Sequence, residues 1–224
     1  MRSPKKPKLK KPVLYYVHDP MCSWCWAFKP TWERLRKLLG DDVEVELLLG
    51  GLAIDDPNPM PAAQREAIRK IWETIEATVP GTTFNYDFWT KCKPKRSTYP
   101  ACRAVISARL QIPGHDAVMI DAIQKAYYLD ARNPSDDDVL ETLAYEIGLD
   151  VPQFDEDINR ATTHLALERE IFASRRMGVQ GFPSLVLKQN EGSSMVPIDY
   201  RDAGNMESAI RGAFEPDFRP EAAE

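Results

Sequence analysis

Cys22-Ser23-Trp24-Cys25 places two thiols two residues apart, close enough to join as a small disulfide ring. A pair of this kind can be oxidised and reduced reversibly, or can supply two thiolates to a metal. The flanking residues indicate which elements hold it. Val13-Leu14-Tyr15-Tyr16-Val17 is a short β-branched and aromatic run, the length of a buried strand. After Asp19-Pro20, the residues Trp26, Phe28, Trp32, Leu35, Leu38 and Leu39 fall at helical spacing, and Gly40 stops them. The cysteines therefore stand where a strand hands over to a helix, with Cys22 at the helix N-terminus. Free backbone N–H groups and the helix dipole stabilise an anion there, and the thiolate is the reactive form of cysteine. Cys22 is the expected nucleophile. Cys25, one turn further in, is the expected resolving thiol.

At 224 residues the chain can bury a sizeable core. Its apolar fraction of 43% and charged fraction of 28% are ordinary for a globular protein. No apolar run approaches the roughly 18–20 residues of a membrane span, and nothing points to nucleic acid. Four cysteines are too few for a disulfide framework in a chain this long. Six of the 29 basic residues lie in positions 1–11 and none of the 34 acidic ones does, so the rest carries 23 against 34. That Lys- and Pro-rich start reads as a disordered basic tail. It is followed by too short an apolar stretch for a secretory signal, which predicts a cytoplasmic protein.

Val43–Leu49 alternates and then turns apolar, predicting a second strand ended by Gly50-Gly51. From Pro61 to Met177 strand signals vanish and six amphipathic helices are expected, among them one capped by Ser135-Asp136-Asp137-Asp138. Strands return at Ser184–Leu187 and Met195–Ile198 around a turn at Asn190-Glu191-Gly192, and a last helix covers Ala203–Phe214. Removing the helical block leaves β-α-β followed by β-β-α.

That order, with its C-x-x-C after the first strand, resembles the thioredoxin fold, and in particular DsbA-like and FrnE-like oxidoreductases. Pro30 stands five residues after Cys25, where such helices carry a proline. Gly178-Val179-Gln180-Gly181-Phe182-Pro183 is similar to the segment that presents a cis-proline beside the site. Asp19-Pro20-Met21-Cys22-Ser23-Trp24-Cys25 is similar to the D-x-x-C-x-W-C opening of FrnE-like members. The resemblance implies an α/β thioredoxin fold with a large all-helical insertion. Its expected boundaries are a basic tail at 1–11, a thioredoxin-like domain at 12–60 and 178–214, an inserted helical domain at 61–177, and a C-terminal tail at 215–224. It implies a thiol–disulfide oxidoreductase cycling Cys22 and Cys25, with Ser23, Trp24, Phe182 and Pro183 meeting the substrate. No bound cofactor is expected; glutathione or another thiol is the implied redox partner, and the substrate a disulfide-containing protein or a small thiol. The alternative is a glutathione-binding isomerase or transferase of the 2-hydroxychromene-2-carboxylate isomerase or kappa class. Those relatives use a serine where Cys22 stands.

One position departs from the pattern. The buried carboxylate expected six residues before the first cysteine is Tyr16 here. Asp19 and Glu46 are the candidate substitutes, although Asp19 also suits a turn cap. Cys92 and Cys102 could complete a zinc site with Cys22 and Cys25, but their nine-residue gap is loose for one. They could also form a second redox pair, with Lys91, Lys93, Lys95, Arg96 and Arg103 favouring thiolates. The favoured reading is two inert cysteines. Trp26, Phe28 and Trp32 read as core, and His18 as a strand-end residue without a catalytic part.

Overall fold

The computed structural model describes residues 11–190 and 192–214. The expected C-terminal tail, and the basic tail apart from Lys11, lie outside the described residues. β1 (Val13–His18) runs parallel to β2 (Glu44–Leu49) and antiparallel to β3 (Ser184–Gln189), which pairs antiparallel with β4 (Gly192–Val196). The sheet order is β2-β1-β3-β4. β1 is thus an interior strand, and its C-terminal end delivers the chain to Cys22.

α1 (Ser23–Leu39) and α9 (Ala203–Phe214) pack together on one sheet face. Strand alternation sends Leu14 and Tyr16 to that face, where they meet Phe28, Trp32, Leu35, Met206 and Ile210. Fully burying one such side chain stabilises by about 1.5–3 kcal/mol. Val17 and Val186 face the other way, with Val179. Between β2 and β3 the chain forms α2 (Ala62–Thr78), α3 (Phe88–Lys91), α4 (Tyr99–Gln111), α5 (His115–Tyr128), α6 (Asp137–Glu146), α7 (Val151–Asn159) and α8 (Ala161–Arg176). These helices share a core around Trp72, Ile106, Met119, Tyr128 and Phe154, with α4 against α5, α7 and α8. α8 also packs on β2.

Three local expectations need correction. The short α3 has no counterpart in the sequence reading, because four residues are too few to show a helical period. Ser135 does not cap α6: its hydroxyl donates to the Ser97 carbonyl at 3.1 Å, and Asp136 stands at the N-cap without a side-chain cap bond. β4 stops at Val196 and omits Pro197 and Ile198, since proline has no N–H to give the ladder.

Candidate active site

Cys22 is the N-cap residue of α1 itself: its carbonyl accepts the first helical bond, from the Trp26 N–H at 3.1 Å. Its thiol donates to the Phe182 carbonyl at 3.4 Å, so residues 160 positions apart meet at one sulfur. Both cysteines are buried, Cys25 completely and Cys22 with 6% of its surface exposed. The sequence placed Cys22 at an exposed helix start; in the fold it is buried, with the Phe182 carbonyl against its sulfur. Burial pushes the Cys25 thiol well above its ordinary value, and the adjacent Cys22 sulfur adds to the rise. At neutral pH Cys25 is therefore held as a thiol.

The Phe182–Pro183 peptide is cis. The Phe182 ring packs near Val17 and Val186 and lies directly over Gly50, where an added Cβ would stand 1.9 Å from its Cε1 atom. What Phe182 offers Cys22 is its carbonyl. Trp24, half-buried, meets Tyr200 edge to face at 5.3 Å, while Ser23 is also half-buried at the start of α1. Gly50 was read only as the end of β2, although a glycine closing a strand is also a signal for close approach. Gly50→Ala should cost about 1–3 kcal/mol by overpacking, because the Phe182 ring must move to admit the added Cβ. In a Phe182→Ala background the same Gly50→Ala change should cost much less; an equal loss of urea midpoint in both backgrounds would refute the contact.

Asp19 is fully buried and spans three segments. One carboxylate oxygen accepts the Met21 N–H at 2.8 Å; the other accepts the Leu52 N–H at 2.7 Å, the Thr98 hydroxyl at 2.7 Å and the Cys102 thiol at 3.5 Å. Burial raises its pKa despite those donors. The turn-cap role expected of Asp19 is present, extended to a brace between the α1 start, the β2 exit and α4. Glu46 is exposed and pairs across the sheet with Tyr15, on the opposite face of β1 from Tyr16. It is not placed to serve Cys25.

Residues 15–201 match the family model described as Thioredoxin. This chain belongs to the thioredoxin family. A structure from Nitrosomonas europaea, assigned provisionally as a protein disulfide isomerase, is 27% identical with a TM-score of 0.78, covering 91% of this chain and 97% of the other. The cytosolic disulfide reductase DsbM from Pseudomonas aeruginosa superimposes with a TM-score of 0.70 at 22% identity, covering 91% and 97%, and shares the fold. Among curated proteins, the ClpXP adapter protein SpxH of Halalkalibacterium halodurans is 27% identical over 186 residues, covering 81% of this chain. The chain spans about 60% of that relative's length. The fold is thus a DsbA-like thioredoxin fold, α/β, with its helices between β2 and β3.

The remaining cysteines of this family member turn to different partners. Cys92 donates to the Ala131 carbonyl at 3.0 Å, and Cys102 points at Asp19. Burial raises both thiols, Cys102 strongly and with help from the Asp19 charge. Three of the five basic residues expected to favour thiolates are paired with carboxylates: Lys91 with Asp87, Lys95 with Asp136 and Arg103 with Asp55. Among the described residues no three His, Cys, Asp or Glu side chains gather as a metal group. No helix there is long and apolar enough to cross a membrane. Phe28 and Trp32 are buried; Trp26 is half-buried, stacks on Tyr128 at 5.6 Å and joins α1 to the helical core.

His18 is 2% exposed and stacks on Tyr16 at 5.0 Å. Burial lowers its pKa from 6.5 to about 4. A depressed folded value means that His18 contributes stability fully above about pH 6.5, lost as pH falls through about 4, worth about 3 kcal/mol. Asp19, raised by burial, acts with the opposite sign: its contribution is full at low pH and lost as pH rises through its shifted value. Urea midpoints should therefore fall between pH 6.5 and 4, and His18→Phe should flatten that fall. An unchanged acid limb in the variant would remove His18 as its cause.

Proposed function

We propose that this protein is a thiol–disulfide oxidoreductase that cycles Cys22 and Cys25 through a mixed disulfide. The observation that carries the reading is the Cys22 sulfur at the N-cap of α1, beside the Phe182 carbonyl, with Cys25 buried one turn on. Cys22 attacks a substrate disulfide as thiolate, forming a mixed disulfide and releasing one substrate thiolate. Cys25 then attacks the Cys22 sulfur, which closes the intramolecular disulfide and frees the second substrate sulfur. Two equivalents of a thiol such as glutathione return the pair to the dithiol. The extended Phe182 carbonyl and the Trp24–Tyr200 surface suit a polypeptide flanking the reacting disulfide, with Ser23 and Pro183 beside it.

Likeness to a cytosolic reductase, also solved with glutathione, supports a cytoplasmic site of action and a glutathione partner. In that compartment reduction or isomerisation is favoured over net oxidation. The SpxH relatives, named as adapters, support a protein as the bound partner. The test is reaction of reduced protein with oxidised glutathione, followed by insulin reduction. One intramolecular Cys22–Cys25 disulfide per chain and catalytic turnover are expected. Turnover of an aromatic isomerisation substrate with glutathione returned unchanged, and no disulfide reduction, would instead establish the isomerase class.

A further inference from the structure

A cavity of about 300 Å³ lies between α1 and α5 and reaches Cys25. Tyr16 and His18 of β1 form one wall and Gln124 of α5 the opposite one. His18 Nε2 and Gln124 Oε1 are buried polar atoms without a hydrogen-bond partner among the described residues. Two such atoms lining one cavity is unusual, since nearly all buried polar groups are paired by protein or water. A water takes about 30 Å³, so the space accommodates several. Towards the surface the lining becomes charged, with Lys29 paired to Asp121 and with Glu33 and Arg36 nearby.

The chemistry lacks a proton acceptor at this point. Cys25 must lose its proton to attack, yet the position six residues before Cys22 is Tyr16, whose phenol is itself held protonated by burial and the neighbouring sulfurs. Asp19 is occupied by four donors, and Glu46 is on the other sheet face. We propose that the cavity is the route by which the Cys25 proton leaves, with His18 and Gln124 as positioning residues that hold its water. The inference rests on the oxidoreductase reading. As the Cys25 sulfur bonds to the Cys22 sulfur, the Cys22–substrate bond breaks and its electron pair leaves on the substrate sulfur. The Cys25 proton passes to cavity water and from there to bulk past Lys29, Glu33, Arg36 and Asp121; the substrate thiolate takes a proton from solvent. Burial keeps the His18 imidazole neutral near pH 7, so Nε2 can accept from a water when the ring proton is on Nδ1. Tyr16, Cys25, Lys29, Glu33, Arg36 and Asp121 are the titratable groups facing this space, and β2 contributes only Leu47.

With Cys92, the other partly exposed thiol, replaced by serine in every protein tested, Ellman's reagent separates the steps, because Cys22 attack releases one aromatic thiolate and Cys25 resolution releases the second. His18→Phe, which keeps the stacking ring, and Gln124→Leu should each lower the ratio of second to first release rate about tenfold or more. In His18→Ala, added imidazole should raise the second rate, and do so more strongly as pH passes the imidazole pKa, a dependence that a packing role would not produce. Unchanged ratios in both His18→Phe and Gln124→Leu, or no imidazole effect, would overturn the proton route. If His18→Phe does not fold, Gln124→Leu on a separate element carries the test. Wild type that releases only one equivalent would overturn the oxidoreductase reading itself.

Discussion

Cys22→Ser should abolish multiple-turnover reduction of a protein disulfide, by at least about a thousandfold, while Cys25→Ser should complete one attack and stall. The asymmetry follows from where α1 begins. Cys22 is its N-cap and meets the Phe182 carbonyl, whereas Cys25 has no exposed surface and is held as a thiol by burial. A serine at 22 leaves no sulfur at the start of α1, and Cys25 behind it has no exposed surface. A serine at 25 leaves the attacking thiol intact and removes only the group that frees the product, so the mixed disulfide accumulates and can be weighed by mass spectrometry. Iodoacetamide should modify Cys22 before Cys25 in the reduced wild type. Faster labelling of Cys25, or turnover retained in Cys22→Ser, would reverse the assignment.

Asp19→Ala should lower stability by about 3–5 kcal/mol at neutral pH. The carboxylate satisfies the buried Met21 N–H and the part-buried Leu52 N–H, together with the Thr98 hydroxyl and the Cys102 thiol. Leaving a buried donor without an acceptor costs about 1–3 kcal/mol each. The loss is partly offset because burial already disfavours the charged carboxylate, as its raised pKa records. Asp19→Asn keeps one acceptor oxygen and should fall between wild type and alanine. Urea unfolding at pH 7 measures the series. A loss below about 1 kcal/mol in Asp19→Ala would show that these donors find other partners, and that the α1 start, the β2 exit and α4 are not braced through this residue.

The residues alone determined the framework wherever local periodicity is strong. Val13–Val17 is a short β-branched and aromatic run, α1 carries an apolar stripe closed by Gly40, and the C-x-x-C falls between them, so the strand, the helix and the two thiols were legible together. The order β-α-β, helices, β-β-α was legible for the same reason, and the thioredoxin fold with it. Local signals could not show what depends on approach between distant segments. Gly50 looked like a strand terminator until Phe182 came to lie over it; Asp19 looked like a turn cap until Leu52, Thr98 and Cys102 converged on its second oxygen. Five basic residues around Cys92 and Cys102 suggested thiolates, yet the charges of Lys91, Lys95 and Arg103 are met by Asp87, Asp136 and Asp55 while burial raises both thiols. His18 shows the division most clearly. Sequence placed it at the end of β1, but its burial, its unpartnered nitrogen and the cavity it shares with Cys25 and Gln124 arise only when the fold brings α5 opposite β1 and α1. Periodicity along the chain fixes which face of an element is buried; the electrostatics of a buried group depend on what the other elements bring to that face.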